Sequence, residues 1–174
     1  VGVLLFSALL GGFLLVLTGK SSRVERLVAE RTAELADKNR ALLREIGERE
    51  RSESRLRLSV EVFEHLGEAI MITDAENRIV SVNRAFTQIT GYNEDEVRGK
   101  APQMLSSGQH SGAFYEEMWQ KLQHTGVWRG EVWDRRKNGQ IYPEWLNISL
   151  VRDAIGRTTH HVAVFSDISE RKAA

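Results

Sequence analysis

The chain opens with an uninterrupted apolar run. Residues 1–18 carry no charge and consist mainly of Leu, Val, Phe and Gly, and Lys20, Arg23 and Arg26 follow closely. As a helix the run would extend about 27 Å, close to the thickness of a bilayer's hydrocarbon core. The basic residues after it favour a cytoplasmic C-terminal side. We predict a transmembrane helix over residues 1–19, in the inner (cytoplasmic) membrane of a longer protein. A buried core helix or signal-peptide core is the alternative.

Residues 20–56 form a charged, proline-free stretch whose apolar positions recur every seven residues. One seam position holds Val28, Leu35, Leu42 and Leu56, and the other holds Thr32, Asn39, Ile46, Glu53 and Val60. This spacing predicts a parallel two-stranded coiled coil, and therefore a homodimer. The polar residues in both seams leave a single solvated helix as the alternative. Either helix would extend on the order of 50 Å from the membrane towards the next domain.

The pattern changes from residue 57 onwards to short β-branched runs and capped helices. Residues 69–73 and 78–82 are two such runs separated by turn residues, which predicts a hairpin. Asn93 followed by Glu96 predicts a helix that begins with a capping box. Apolar residues at helical spacing then predict an amphipathic helix over residues 114–126.

Three further strands are predicted in the second half of the chain. They cover residues 127–135, 142–150 and 161–165, with turns at residues 138–139 and 153–157. The Asn-Gly pair at the first turn is a strong hairpin signal. Two strands, a helical middle and three strands predict an α+β fold over residues 57–168. Its five-stranded antiparallel sheet would carry helices on one face.

Composition narrows the functional classes. The chain has 24 Lys and Arg against 24 Asp and Glu, and this balance argues against a nucleic-acid-binding surface. It has no cysteine, which excludes disulfides, thiolate metal sites and cysteine nucleophiles. No phosphate-binding glycine loop, Ser-His-Asp set or paired-carboxylate motif stands out. We therefore expect neither enzyme activity nor a metal site within this fragment.

Motifs at several places along residues 57–172 are specific in combination. They are Asn83-Arg84-Ala85-Phe86, Ile89-Thr90-Gly91-Tyr92, Asn138-Gly139 and Asp167-Ile168-Ser169-Glu170-Arg171-Lys172. Together they resemble a PAS domain with its C-terminal PAC segment, which is a sensor or relay. In that family an Asp-Ile-Thr-like exit couples the last strand to an output helix. The resemblance implies signal transmission through Asp167, Ile168, Ser169 and Glu170, with Ser169 in place of the usual Thr. An output helix would then begin at residues 169–174.

The segment also resembles the PAS domains of bacterial cyclic-di-GMP enzymes, where such a module precedes a GGDEF cyclase or an EAL phosphodiesterase. It is further similar to the flavin-binding PAS domains of NifL-type redox sensors, in which a Trp and an Asn contact the flavin. These two positions fall on Trp119 and Asp134, which implies FAD as the candidate cofactor. Asp134 departs from the pattern, because an ionised carboxylate only accepts hydrogen bonds. The absence of cysteine excludes the cysteinyl-flavin adduct of LOV photoreceptors, a PAS subfamily.

Each candidate site residue also has a structural interpretation. Trp119 lies on an apolar helical stripe typical of a core, and Asp134 stands among basic residues that could pair with it at the surface. Asn83 could line the ligand pocket or cap the helix that starts there. A haem-based gas sensor would need a ligating His in the pocket, and the adjacent His160 and His161 point to opposite faces of a strand.

These observations predict a membrane-anchored sensory or relay PAS module on the cytoplasmic side. It would bind a small ligand or flavin and pass the signal through the Asp-Ile-Ser exit to an output domain in the same chain. That domain would be a diguanylate cyclase, a phosphodiesterase or a histidine kinase. The alternative is a ligand-free PAS module that dimerises and relays a signal from an extracellular sensor.

Overall fold

The computed structural model describes the backbone of residues 2–173 and the side chains of residues 23–173. The chain divides into two compact units, Val1–Leu56 and Arg57–Ala174. The first unit is helical and belongs to α1 (Gly2–His65). Where its side chains are described they are exposed, including the seam residues Leu35 and Leu42 at 62% and 54%. Ion pairs at helical spacing, such as Lys38 with Glu34 at 2.6 Å, stabilise such a helix by a few tenths of a kcal/mol each.

The N-terminal part of the predicted fold class is wrong. A transmembrane helix ahead of a separate coiled-coil helix was expected, but α1 is one continuous helix. Within the part of the chain that the structure describes, no helix combines the length and apolarity needed to cross a bilayer. The side chains of residues 1–22 lie outside that part. The helix continues because no proline occurs between residues 2 and 65. The apolar run is also at the short end of spanning lengths.

The second unit has the predicted α+β architecture. Its strands are β1 (Ala69–Asp74), β2 (Ile79–Val82), β3 (Val127–Arg135), β4 (Ile141–Arg152) and β5 (Thr158–Asp167). They form one antiparallel sheet in the order β2-β1-β5-β4-β3. The helical elements are α2 (Arg84–Thr90), α3 (Glu94–Val97), a 3₁₀ helix (Pro102–Leu105), α4 (Gly112–Thr125) and α5 (Ser169–Ala173). The predicted five-stranded sheet with accompanying helices is therefore confirmed.

Local signals in the sequence set the ends of these elements. The Asn93 N–H donates to Glu96 Oε2 at 2.9 Å at the start of α3, as the capping pattern predicted. At the end of α4, Gly126 adopts a left-handed conformation, with φ of 79°, and its N–H donates to the Leu122 carbonyl at 2.8 Å. These caps fix where the long helix α4 lies along the sheet.

One face of the sheet forms the core with the helices. Val132, Ile148 and Phe165 are buried on that face, and Phe86 of α2 meets Phe165 edge-on with ring centroids 5.9 Å apart. This inner face carries alternate residues of each strand, because successive side chains point to opposite sides. Polar residues at inner-face positions are therefore placed inside the domain.

Candidate functional site

A cavity of about 410 Å³ lies between the inner face of the sheet and the helices. Its apolar lining includes Met71, Leu105, Met118, Val132 and Phe165. Cavities of roughly 300–1,000 Å³ lined mainly by apolar groups, with a few polar ones, are typical small-molecule sites. Among the described residues that line this cavity there is neither a lysine nor an arginine. The cavity therefore suits a neutral or cationic group better than an anion.

Two of the three predicted ligand residues line this cavity. Trp119 reaches it from α4 and Asp134 from the end of β3. The Trp119 ring is half-buried and meets the His161 ring edge-on, with centroids 5.5 Å apart. The structure brings Trp119 and Asp134 to one site although they are 15 positions apart in sequence.

Asn83 is held elsewhere, as the cap of α2. Its Oδ1 accepts from the N–H groups of Ile70 and Phe86 at 2.9 and 3.0 Å, and its Nδ2 donates to the Phe63 and Glu68 carbonyls at 3.0 and 2.9 Å. These four hydrogen bonds use both N–H donors and both acceptor lone pairs of the side-chain amide. The capping alternative is what the structure shows, and Asn83 is not among the lining residues.

A second carboxyl group, which the sequence reasoning missed, faces the same cavity. In the β3–β4 register Asp134 lies opposite Tyr142, and Val132 lies opposite Glu144. Asp134 and Glu144 are therefore diagonal neighbours on the inner face, with Cα atoms roughly 7 Å apart. Glu144 is 1% exposed, and its Oε2 accepts from the Tyr142 hydroxyl at 2.8 Å.

Burial shifts the protonation of both carboxyl groups. Removal from water raises the pKa of Asp134 to about 7. Burial, followed by repulsion from Asp134, raises the pKa of Glu144 well above its usual value. Both effects disfavour charge in an apolar site. Both carboxyl groups therefore keep their protons to a higher pH than an exposed carboxyl group would.

Arg136 connects this region with the exit of the domain. Its guanidinium group lies over the Tyr142 ring, 4.0 Å from the centroid. It also pairs with Asp167 and donates to the Ile89 carbonyl. Arg136 thus touches the hydrogen-bond partner of Glu144 on one side and the end of β5 on the other.

The predicted transmission residues lead from Asp167, the last residue of β5, into α5, which begins at Ser169. Asp167 Oδ1 accepts from the Ser169 N–H at 2.8 Å, and the Ile168 N–H donates to the Pro143 carbonyl at 3.0 Å. Partial burial would raise the pKa of Asp167, but hydrogen bonds from Ser169 and Arg136 lower it below its usual value. The junction is therefore held by an ionised carboxylate.

His161 is another lining residue that sequence reasoning did not assign to the site. It is 5% exposed, and its Nδ1 lies 3.0 Å from the Asp74 carbonyl oxygen. Because a carbonyl only accepts, this contact places the proton on Nδ1.

The sequence did contain a signal that Glu144 faces inward. Glu144 alternates along its strand with the apolar residues Tyr142, Leu146 and Ile148, so it shares their face of the sheet.

Comparison with known proteins identifies the family. Residues 67–170 match the family model of the PAS domain. The chain belongs to the PAS family, as its motifs predicted. PAS domains are sensory and regulatory modules, which agrees with the expectation that this fragment is not an enzyme.

A nitrogen fixation regulatory protein from Klebsiella oxytoca is 35% identical over 108 residues. The match includes 62% of this chain and 22% of that protein. The chain thus spans about a fifth of the length of this relative. The match agrees with the predicted similarity to NifL-type PAS domains. The cyclic-di-GMP context stays a prediction.

Solved structures share the fold. The PAS domain of a protein from Colwellia psychrerythraea superposes with a TM-score of 0.63 at 21% identity, covering 67% of this chain and 98% of that one. A light-oxygen-voltage domain studied with a flavin analogue superposes with a TM-score of 0.56 at 25% identity, covering 61% and 81%. The chain has no cysteine with which to form the LOV-type adduct.

Proposed function

We propose that the second unit is the ligand-binding sensory module of a signalling protein and that its cavity holds the ring system of a flavin, with FAD as the first candidate. The observation that carries this proposal is the apolar cavity into which both Trp119 and Asp134 project. Similarity to a light-oxygen-voltage domain studied with a flavin analogue supports it. A bound flavin would supply a redox-active group.

The residues of the cavity fit such a ring. Trp119 gives an aromatic surface, and aromatic contacts with a planar ligand add to the burial of apolar area. Asp134 and Glu144 supply hydrogen-bonding groups at one end of an otherwise apolar space.

The exit of the domain carries the signal. A change at the cavity wall reaches Glu144, then Tyr142 through the 2.8 Å hydrogen bond, and then Arg136, which lies over the Tyr142 ring. Arg136 pairs with Asp167, which caps α5. The ligand drives this path only if it binds two arrangements of the junction with different affinity.

Dimerisation and an output domain complete the proposal. The exposed seam residues of α1 would pair with those of a second copy. The output domain would be a GGDEF or EAL domain of cyclic-di-GMP metabolism, or a histidine kinase. The second candidate, a ligand-free relay, is favoured by one observation, the Asp at position 134.

The test is a titration of the chain with FAD, followed by equilibrium dialysis. We expect saturable binding near one flavin per chain and a loss of at least tenfold in affinity for Trp119→Ala. Trp128→Phe is the matched control, because Trp128 is buried against Phe114 and is not among the residues lining the cavity. Absence of binding in the folded wild-type chain would favour the relay. Equal binding by both variants would remove Trp119 from the site.

A further inference from the structure

We propose that Asp134 recognises the imide edge of the bound ring as a carboxylic acid, donating one hydrogen bond through its hydroxyl and accepting another through its carbonyl oxygen. This inference rests on the proposed function, since the pyrimidine-dione edge of a flavin presents an N–H group flanked by carbonyls. It assigns to this chain a proton-dependent form of ligand recognition.

The surroundings of Asp134 offer no compensating positive charge. Asp134 is half-buried and lines the cavity, and within the described chain its carboxyl group has neither a hydrogen-bond nor an ion-pair partner. Its diagonal neighbour on the inner face is a second carboxyl group, that of Glu144. Two carboxylates sharing an apolar site cannot both ionise readily.

The titratable groups around Asp134 already have partners. Glu144 of β4, His161 of β5 and Tyr115 of α4 line the same cavity, Tyr142 lies opposite Asp134 in the register, and Arg135 and Arg136 follow it in sequence. The Tyr142 hydroxyl donates to Glu144, and Tyr115 Oη lies 3.2 Å from Ser106 Oγ. The His161 ring is tied to the Asp74 carbonyl through Nδ1.

The two arginines are likewise committed away from the cavity. Arg135 donates to the Ser106 carbonyl at 2.8 Å. Arg136 pairs with Asp167 and donates to the Ile89 carbonyl. A proton is therefore the available means of neutralising Asp134, and burial raising its pKa to about 7 agrees with this.

The acid form does what an amide at this position would do. A carboxylic acid has one O–H donor and a carbonyl acceptor, whereas the ionised group only accepts. An Asn side chain offers the same pairing of donor and acceptor. An imide edge needs both groups from the side chain. The acceptor receives a hydrogen bond from the imide N–H, and the donor gives one to the imide carbonyl. Ionisation of Asp134 removes the donor and sets two acceptors against the carbonyl of the ring.

The experiment measures FAD affinity by equilibrium dialysis between pH 5.5 and pH 9 for the wild-type chain and for Asp134→Asn. For the wild type we expect constant affinity below pH 6 and a loss of roughly tenfold per pH unit well above pH 7. For Asp134→Asn we expect affinity that stays constant within threefold. If FAD affinity changed with pH in the same way for both chains, the proposed role of Asp134 would be refuted, whereas the flavin site itself would still be supported. Binding by neither chain at any pH would overturn the flavin proposal, and this inference with it.

An infrared measurement on the wild-type chain keeps the inference testable if the variant fails to fold. The spectrum at pH 6 with FAD bound should contain the C=O band of a protonated carboxyl group that shifts when FAD is added. The carboxylic acid of Glu144 is identified separately with Glu144→Gln. A spectrum at pH 6 in which FAD shifts no protonated carboxyl band beyond that of Glu144 would overturn the inference.

Discussion

Asp134→Asn should make the protein more stable at neutral and alkaline pH and should flatten the dependence of its stability on pH. Asp134 sits half-buried at the cavity wall, with no partner for its carboxyl group within the described chain. The substitution replaces a group that must ionise at high pH with an amide of nearly the same shape. The inner-face packing around Val132 and Glu144 stays the same.

The size of the effect follows from the pKa shift. Folding raises the pKa of Asp134 from 3.8 to about 7, so the folded state holds this proton more tightly than the unfolded chain. The contribution to stability is complete below about pH 4 and is lost as pH rises to about 7. The full loss is about 4 kcal/mol, and about 2.5 kcal/mol of it falls between pH 5 and pH 8.

Urea unfolding of the two chains at pH 5 and pH 8 measures this difference. Subtracting the two free energies of unfolding cancels the titrating groups that the chains share. The variant also removes the repulsion that Asp134 exerts on Glu144. This loss of repulsion likewise makes the variant more stable than the wild type at high pH. A stability difference between the chains that changes by less than 0.5 kcal/mol, on the order of the measurement error, would refute the assignment of a buried, proton-binding Asp134.

Three further substitutions test the framework around the cavity. Asn83→Ala removes four hydrogen bonds, and urea unfolding should show a loss of roughly 2–4 kcal/mol; a loss below about 0.5 kcal/mol would contradict the network. Tyr142→Phe removes the donor to Glu144, and the same measurement should show a loss of about 1–3 kcal/mol; an unchanged midpoint would contradict that bond. The double substitution Leu35→Ala and Leu42→Ala should lower the dimer fraction measured by sedimentation. Leu43 is 69% exposed and lies outside the predicted seam, so Leu43→Ala should leave that fraction unchanged. Equal effects of the two changes would contradict the predicted seam.

The fold was predictable where local signals decide it. The Asn-Gly turn and the alternation along β4 depend on neighbouring residues, and the observed β4 (Ile141–Arg152) contains the predicted residues 142–150. β5 is longer than predicted, because its polar first residues, including Thr158, are held by pairing with neighbouring strands. Such pairing is a property of a central strand and is invisible in the pattern of one segment.

The site was predictable only in part. Family-like spacing pointed to Trp119 and Asp134, and both line the cavity. The raised pKa of Asp134 could not be foreseen, because it comes from the burial of the carboxyl group once the strands and helices pack together. Similarly, which of His160 and His161 faces inward depends on how β5 pairs with β1. The transmembrane prediction failed because an apolar run alone does not settle where one helix ends and another begins.

The most direct test of the account is the visible absorption spectrum of the purified chain, recorded beside that of Ala163→Phe. Ala163 is a small buried residue at the cavity wall, so the larger side chain fills the space proposed for the ring. Circular dichroism of both chains establishes that each is folded. The account predicts flavin bands in the wild type that are absent from the variant. A folded wild-type chain that is colourless, and stays so after incubation with FAD, would contradict the flavin site and favour the ligand-free relay. A Soret band would instead identify haem as the bound group.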